Sequence, residues 1–121
     1  MTLPSLGIDI SKLKFDVCLS GPGGKFRHHV FPNSPAGFTQ LCVWLSQQRV
    51  ERVHACLKAT GTFGEALATY LHEAGHLVSV VNPAAIKAYG QSRLSRTKTD
   101  KADATLIAQF CSERHPPQWQ P

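Results

Sequence analysis

The sequence lacks what would place it in a membrane, a secreted scaffold or a zinc-finger protein. No apolar run approaches the ~20 residues that a membrane-spanning helix needs. The N-terminal MTLPSLGIDISK has no basic segment followed by a long apolar one. No signal peptide is therefore expected, and the chain is expected in the cytoplasm. The four cysteines, Cys18, Cys42, Cys56 and Cys111, are widely spaced and form no CxxC pair. Each has apolar neighbours, which points to buried free thiols. The His and Cys residues show no zinc-finger spacing. There is no internal repeat and no low-complexity segment.

What is present suits one globular domain. The chain has 121 residues, 42% of them hydrophobic, enough for a core without disulfide staples. The net charge of +5 comes from 13 Lys and Arg against 8 Asp and Glu. That excess is a weak pointer to an anionic partner, but its distribution is more telling. Lys87, Arg93, Arg96, Lys98 and Lys101 fall in one short stretch with Asp100.

Apolar periodicity divides the chain. Residues 6–10 (LGIDI) and 15–19 (FDVCL) alternate as strands and are joined by the short polar SKLK. GPGG at 21–24 signals a turn, and residues 25–31 form a third strand. Asn33 or Ser34 then caps a helix with Pro35 in its first turn. Phe38, Leu41, Cys42 and Leu45 follow at helical spacing. Residues 53–57 read as a strand. Phe63 to Leu71 mark a helix with Gly75 at its C-terminal end, and LVSVV at 77–81 reads as a buried parallel strand. A helical turn is expected over 84–89, a polar, basic and mobile segment over 90–99, and a final helix over 100–114 that HPPQWQP cannot continue. A meander followed by two right-handed crossovers is the topology of an α/β, ribonuclease H-like fold: three antiparallel strands extended by two parallel ones, helices on the faces, the first strand beside the fourth.

Three carboxylates stand out in that frame. Asp9 interrupts an apolar strand, which by itself is consistent with an exposed strand face. Asp100 and Asp103 open a helix three residues apart, which by itself is consistent with capping and the helix dipole. If the first and fourth strands are neighbours, the last helix delivers both beside Asp9 and residue 58. Carboxylates that converge repel one another unless a cation joins them, and hard oxygen ligands select Mg²⁺ or Mn²⁺. Asp9, Asp100 and Asp103 are thus the expected metal ligands. Lys87, Arg93, Arg96, Lys98 and Lys101 are the expected phosphate contacts beside them, and Thr60 is a candidate contact at a helix N-terminus.

GIDISKLKFDV, ACLKATGTFGEAL and GHLVSVVNPAAIKAYGQSRLSRTKTDKADATLIAQFC resemble the N-terminal RuvC-like domain of the DEDD-type insertion-sequence transposases. That family includes the Piv-like DNA invertases and bridge-RNA-guided recombinases. The resemblance covers residues 5–112 and implies DNA recombination chemistry with Mg²⁺ or Mn²⁺. It implies DNA as substrate, a guide RNA as candidate partner, and a homo-oligomer for the full-length protein. The implied catalytic positions are Asp9, residue 58, Asp100 and Asp103. At the second, where the family motif reads Glu-Ala-Thr-Gly, this chain has Lys58-Ala59-Thr60-Gly61. A lysine there is expected to weaken or abolish metal binding, by pairing with Asp9 or Asp103 or by leaving a three-ligand site. The implied organisation is a RuvC-like domain over 1–114 and a tail over 115–121 leading to a C-terminal domain that is absent, so the isolated chain is expected to be inactive. The competing reading is an inert module that binds nucleic acid or self-associates. An actin-like ATPase, suggested by GIDIS and its hairpin, lacks room for a second lobe.

Other signals carry less. His72-Glu73-Ala74-Gly75-His76 matches HExxH, but that chemistry needs one continuous helix, and Gly75 is expected to end it. These are read as surface residues. His28 and His29 must point to opposite faces of a strand. Trp44 is read as packing. Trp119 either packs or awaits the absent domain.

Overall fold

The computed structural model describes residues 3–21, 25–58, 61–92 and 100–120, and of residues 92 and 100–102 the backbone alone. Its elements are β1 (Ser5–Ile10), β2 (Lys14–Ser20), β3 (Phe26–Pro32), α1 (Pro35–Gln47), β4 (His54–Lys58), α2 (Glu65–Glu73), β5 (Leu77–Val81), α3 (Pro83–Ser92) and α4 (Asp100–Arg114). They build one sheet in the order β3-β2-β1-β4-β5. β1 is antiparallel to β2 and parallel to β4, as the meander and crossovers predict.

Alternation along the strands separates two faces. Leu6, Ile8, Ile10, Phe15, Val17 and Leu19 point to one side and are buried with Leu41 and Leu45 of α1 and Leu67 and Leu71 of α2. The other side carries small residues: Gly7 lies between Cys18 of β2 and Cys56 of β4. α4 covers this side, burying Ala104 and Ala108 against Cys18. Gly7 is required here, because a Cβ would run into the carbonyl oxygen of Ala104 and the backbone nitrogen of Ala108.

Local chemistry sets the boundaries. The hairpin closes through Ser11 N–H donating to the Lys14 carbonyl at 2.9 Å. Ser34 caps α1, its side chain accepting from the Gly37 N–H, with Pro35 next. Asn33 ties two turns together by donating to the carbonyls of Ser11 (3.0 Å) and Phe63 (3.1 Å). Gly75 leaves α2 at a φ of 94°.

Three expectations change, and one that was open is decided. α2 begins at Glu65 with Gly64 as its cap, so the helix N-terminus expected at residue 60 lies further along the chain. α3 extends through Ser92, so the start of the expected mobile segment is helical, while residues 93–99 lie outside the described ones. His76 is buried rather than on the surface; its Nδ1 accepts from the Val53 N–H at 3.2 Å. Burial, and secondarily Arg52, holds its pKa below the ordinary imidazole value. Of the two readings open for Trp119, packing is the one observed, on β5: the Trp119 N–H donates to the Val78 carbonyl at 2.6 Å, and Ser79 Oγ donates to the Pro116 carbonyl at 3.1 Å.

Candidate functional site

Close seating of α4 over Gly7 brings its first turn to the end of the sheet where Asp9 emerges. Asp9 is next to last in β1, Lys58 is the last residue of β4, and Asp103 is the fourth residue of α4. The Lys58 ammonium stands 3.4 Å from Asp9 Oδ1 and 4.0 Å from Asp103 Oδ2. Asp9 is 14% exposed, Lys58 22% and Asp103 40%, so the Asp9 contact is the better shielded from water. At an effective dielectric of about 20, unit charges ~4 Å apart attract by about 4 kcal/mol before desolvation is counted. The more exposed Asp103 contact is worth less than the Asp9 one.

A further carboxylate was missed by the sequence reading. Asp16 lies directly across from Asp9 in the β1–β2 ladder, is buried, and pairs with Lys14 at 3.5 Å. Like charges facing each other across strands destabilise a sheet, and here two lysines stand beside them. The signal was present: a hairpin closed by Ser11 and Lys14 sets Asp9 opposite Asp16.

Asp100 and Lys101 are the first two residues of α4; their side chains are outside the described set. Arg93, Arg96, Lys98 and Thr60 also lie outside the described residues. Lys87 is exposed on α3. The structure thus joins Asp9, Lys58 and Asp103, and leaves the basic stretch between α3 and α4 undescribed.

The described side chains do not fit a divalent ion as they stand. Where the carboxylates of Asp9 and Asp103 approach each other there is already an ammonium, and a dication would face its repulsion at under ~5 Å. Of the two outcomes open for Lys58, pairing is the one observed.

The discounted motifs stay discounted. α2 stops at Glu73, so His72 and His76 do not share a helix. His28 Nε2 meets Thr105 Oγ1 of α4 at 2.6 Å, while His29 stacks on Phe31 at a centroid distance of 4.4 Å. Trp44 is buried. Trp119 packs edge-on to His72, ring centroids 6.3 Å apart.

A family model described as a transposase, of the DEDD type, matches residues 6–120. The pilin gene-inverting protein of Moraxella bovis is 39% identical over 123 residues, covering 100% of this chain and 38% of that protein. The protein of the same name from Moraxella lacunata is 38% identical with the same coverage. The chain therefore spans 38% of the length of these curated relatives. Among solved structures, Thermus thermophilus RuvC matches with a TM-score of 0.63 at 16% identity, over 96% of this chain and 99% of that one. This likeness establishes the RuvC-like, ribonuclease H-like fold.

Proposed function

Because the chain belongs to the DEDD-type transposase family, we propose that it is the RuvC-like part of a DNA-recombining transposase or invertase whose acidic site Lys58 has disabled. The carrying observation is the Lys58 ammonium between Asp9 and Asp103, where β1, β4 and α4 meet. In this reading the domain seats a DNA phosphodiester at the acidic end of the sheet. Lys87, Arg93, Arg96, Lys98 and Lys101 hold neighbouring phosphates, and Thr60 contributes a hydroxyl from the β4–α2 connection. Asp9 and Asp103 orient the ammonium, which meets the phosphate as a fixed cation. It supplies no metal-bound nucleophile, so the isolated chain binds DNA without cutting it. Asp100, three residues before Asp103, completes the acidic set.

A divalent ion, Mg²⁺ or Mn²⁺, is the cofactor usual for such folds. Here its binding requires Lys58 to be replaced. A guide RNA and homo-oligomer formation are proposed for the longer protein, acting in the cytoplasm. No helix among the described residues is long and apolar enough to cross a membrane.

Calorimetric titration with Mn²⁺ of the chain and its Lys58→Glu variant tests this. The chain is expected to take up no Mn²⁺ at the acidic site. The variant is expected to bind at least ~100-fold more tightly, the effect of about 3 kcal/mol per unit charge at ~5 Å. Equal affinities would overturn the role given to Lys58. Duplex DNA should bind both proteins with affinity falling steeply as salt rises. Absence of DNA binding would remove the nucleic-acid reading and leave self-association.

A further inference from the structure

At the other end of β4, on the same α4-covered face, side chains of different chemistry meet. His54 and Cys56 are two residues apart on β4 and so point the same way. Cys111 reaches them from α4. All three are buried, and one ligand atom from each lies within 4.8 Å of the other two. We propose that His54, Cys56 and Cys111 form a separate metal site for a thiolate-preferring cation of the zinc class.

The donor set suits such an ion. Two thiolates and an imidazole are soft ligands that favour zinc over magnesium. Two thiolates also neutralise a dication, so the assembled cluster carries no net charge into the interior. Around a tetrahedral zinc, with bonds of about 2.3 Å to sulfur and 2.0 Å to nitrogen, donors stand roughly 3.5–3.8 Å apart. The present cluster, at separations of up to 4.8 Å, has to close by at most about 1.3 Å, which side-chain torsions can supply.

The surroundings prepare the ligands. Ser79 Oγ gives its one proton to the Pro116 carbonyl. Toward His54 Nε2, 2.7 Å away, it can only accept. The imidazole proton therefore belongs on Nε2, leaving Nδ1 as the unprotonated nitrogen, the outer-shell arrangement typical of metal-binding histidines. Cys111 Sγ donates to the His54 carbonyl at 3.5 Å, so it already faces the start of β4. A cavity of about 290 Å³ lined by Ser5, Ser20, His54, Cys111 and His115 gives an ion a way in and room for a fourth, water ligand. Cys111 lies eight residues beyond Asp103 on α4, about 12 Å along the helix. An ion here would pin to β4 the helix that presents the acidic residues, without touching them.

The test is a cobalt titration of the 121-residue chain, reduced with a phosphine. One Co²⁺ per chain is expected, with a sulfur-to-cobalt charge-transfer band that Zn²⁺ bleaches. Co²⁺ held by carboxylates alone gives no such band, so failure of the acidic-site reading leaves this result unaffected. Cys56→Ser and Cys111→Ser should each remove the band. Cys42→Ser, on α1, should keep it, and Ser79→Ala should weaken binding roughly 10-fold. If the cysteine variants fail to fold, Zn²⁺ should still slow alkylation of two of the four thiols in the unaltered chain. A folded chain without the band, a band that survives both cysteine changes, or alkylation indifferent to Zn²⁺ would overturn the proposal.

Discussion

The two faces of the sheet are packed on different principles. Toward α1 and α2, large side chains interlock: Phe15 is fully buried, its ring centroid 5.5 Å from that of Phe31 and 6.1 Å from that of Phe38. Toward α4, the central contacts are made by Gly7, Cys18, Ala104 and Ala108, nearly backbone on backbone. Bulky side chains hold elements apart and fill the gap with hydrocarbon. Small residues let a helix approach until polar groups from separate elements can touch. Both polar clusters, Asp9–Lys58–Asp103 at one end and His54–Cys56–Cys111 at the other, lie on the small-residue face.

The largest expected effect falls on the first face. Phe15→Ala should cost about 4 kcal/mol in denaturant unfolding, since a fully buried ring leaves both lost contacts and a cavity. Gly7→Ala should come next, at ~2–3 kcal/mol, because the added methyl overpacks the seam. Its signature should differ: amide exchange should rise along α4, and the Lys58–Asp103 contact should be lost with the helix displaced. Unchanged exchange in α4 would mean that the close seating is not what orders the acidic end.

A smaller effect concerns pH. His76 has a folded pKa below its unfolded value because burial disfavours the cation. Protons then bind the unfolded chain first, so stability is full above about 6.5 and is lost as pH falls below it. Melting temperature measured across that range should decline in the unaltered chain, and the decline should be shallower in His76→Gln. Parallel curves would show that His76 does not contribute.

Much of this was legible in the sequence, for physical reasons. Period-2 alternation in LGIDI and FDVCL marked the strands, and Ser34-Pro35 and Gly75 marked helix ends, because those signals are local. Asp9 stood out as a charge in an apolar strand. Asp16 was hidden because FDVCL was read for its apolar positions, Phe15, Val17 and Leu19, while the cross-strand register that pairs Asp16 with Asp9 depends on the turn. Cys56 and Cys111 were read as separate buried thiols and His54 drew no reading: β4 and α4 are far apart in sequence, and metal-ligand spacing was sought only within local motifs. His76 looked exposed beside Gly75, yet its ring turns inward to satisfy the Val53 N–H, which no local pattern announces.

The central claim is that Lys58 is the resident cation of the acidic end. A double-mutant cycle with Asp9→Asn and Lys58→Met, read by denaturant unfolding, tests it most directly. The account predicts a coupling of roughly 1–3 kcal/mol between the two sites, with a smaller coupling between Lys58 and the more exposed Asp103. Effects of Asp9→Asn and Lys58→Met that add to within about 0.5 kcal/mol would contradict it.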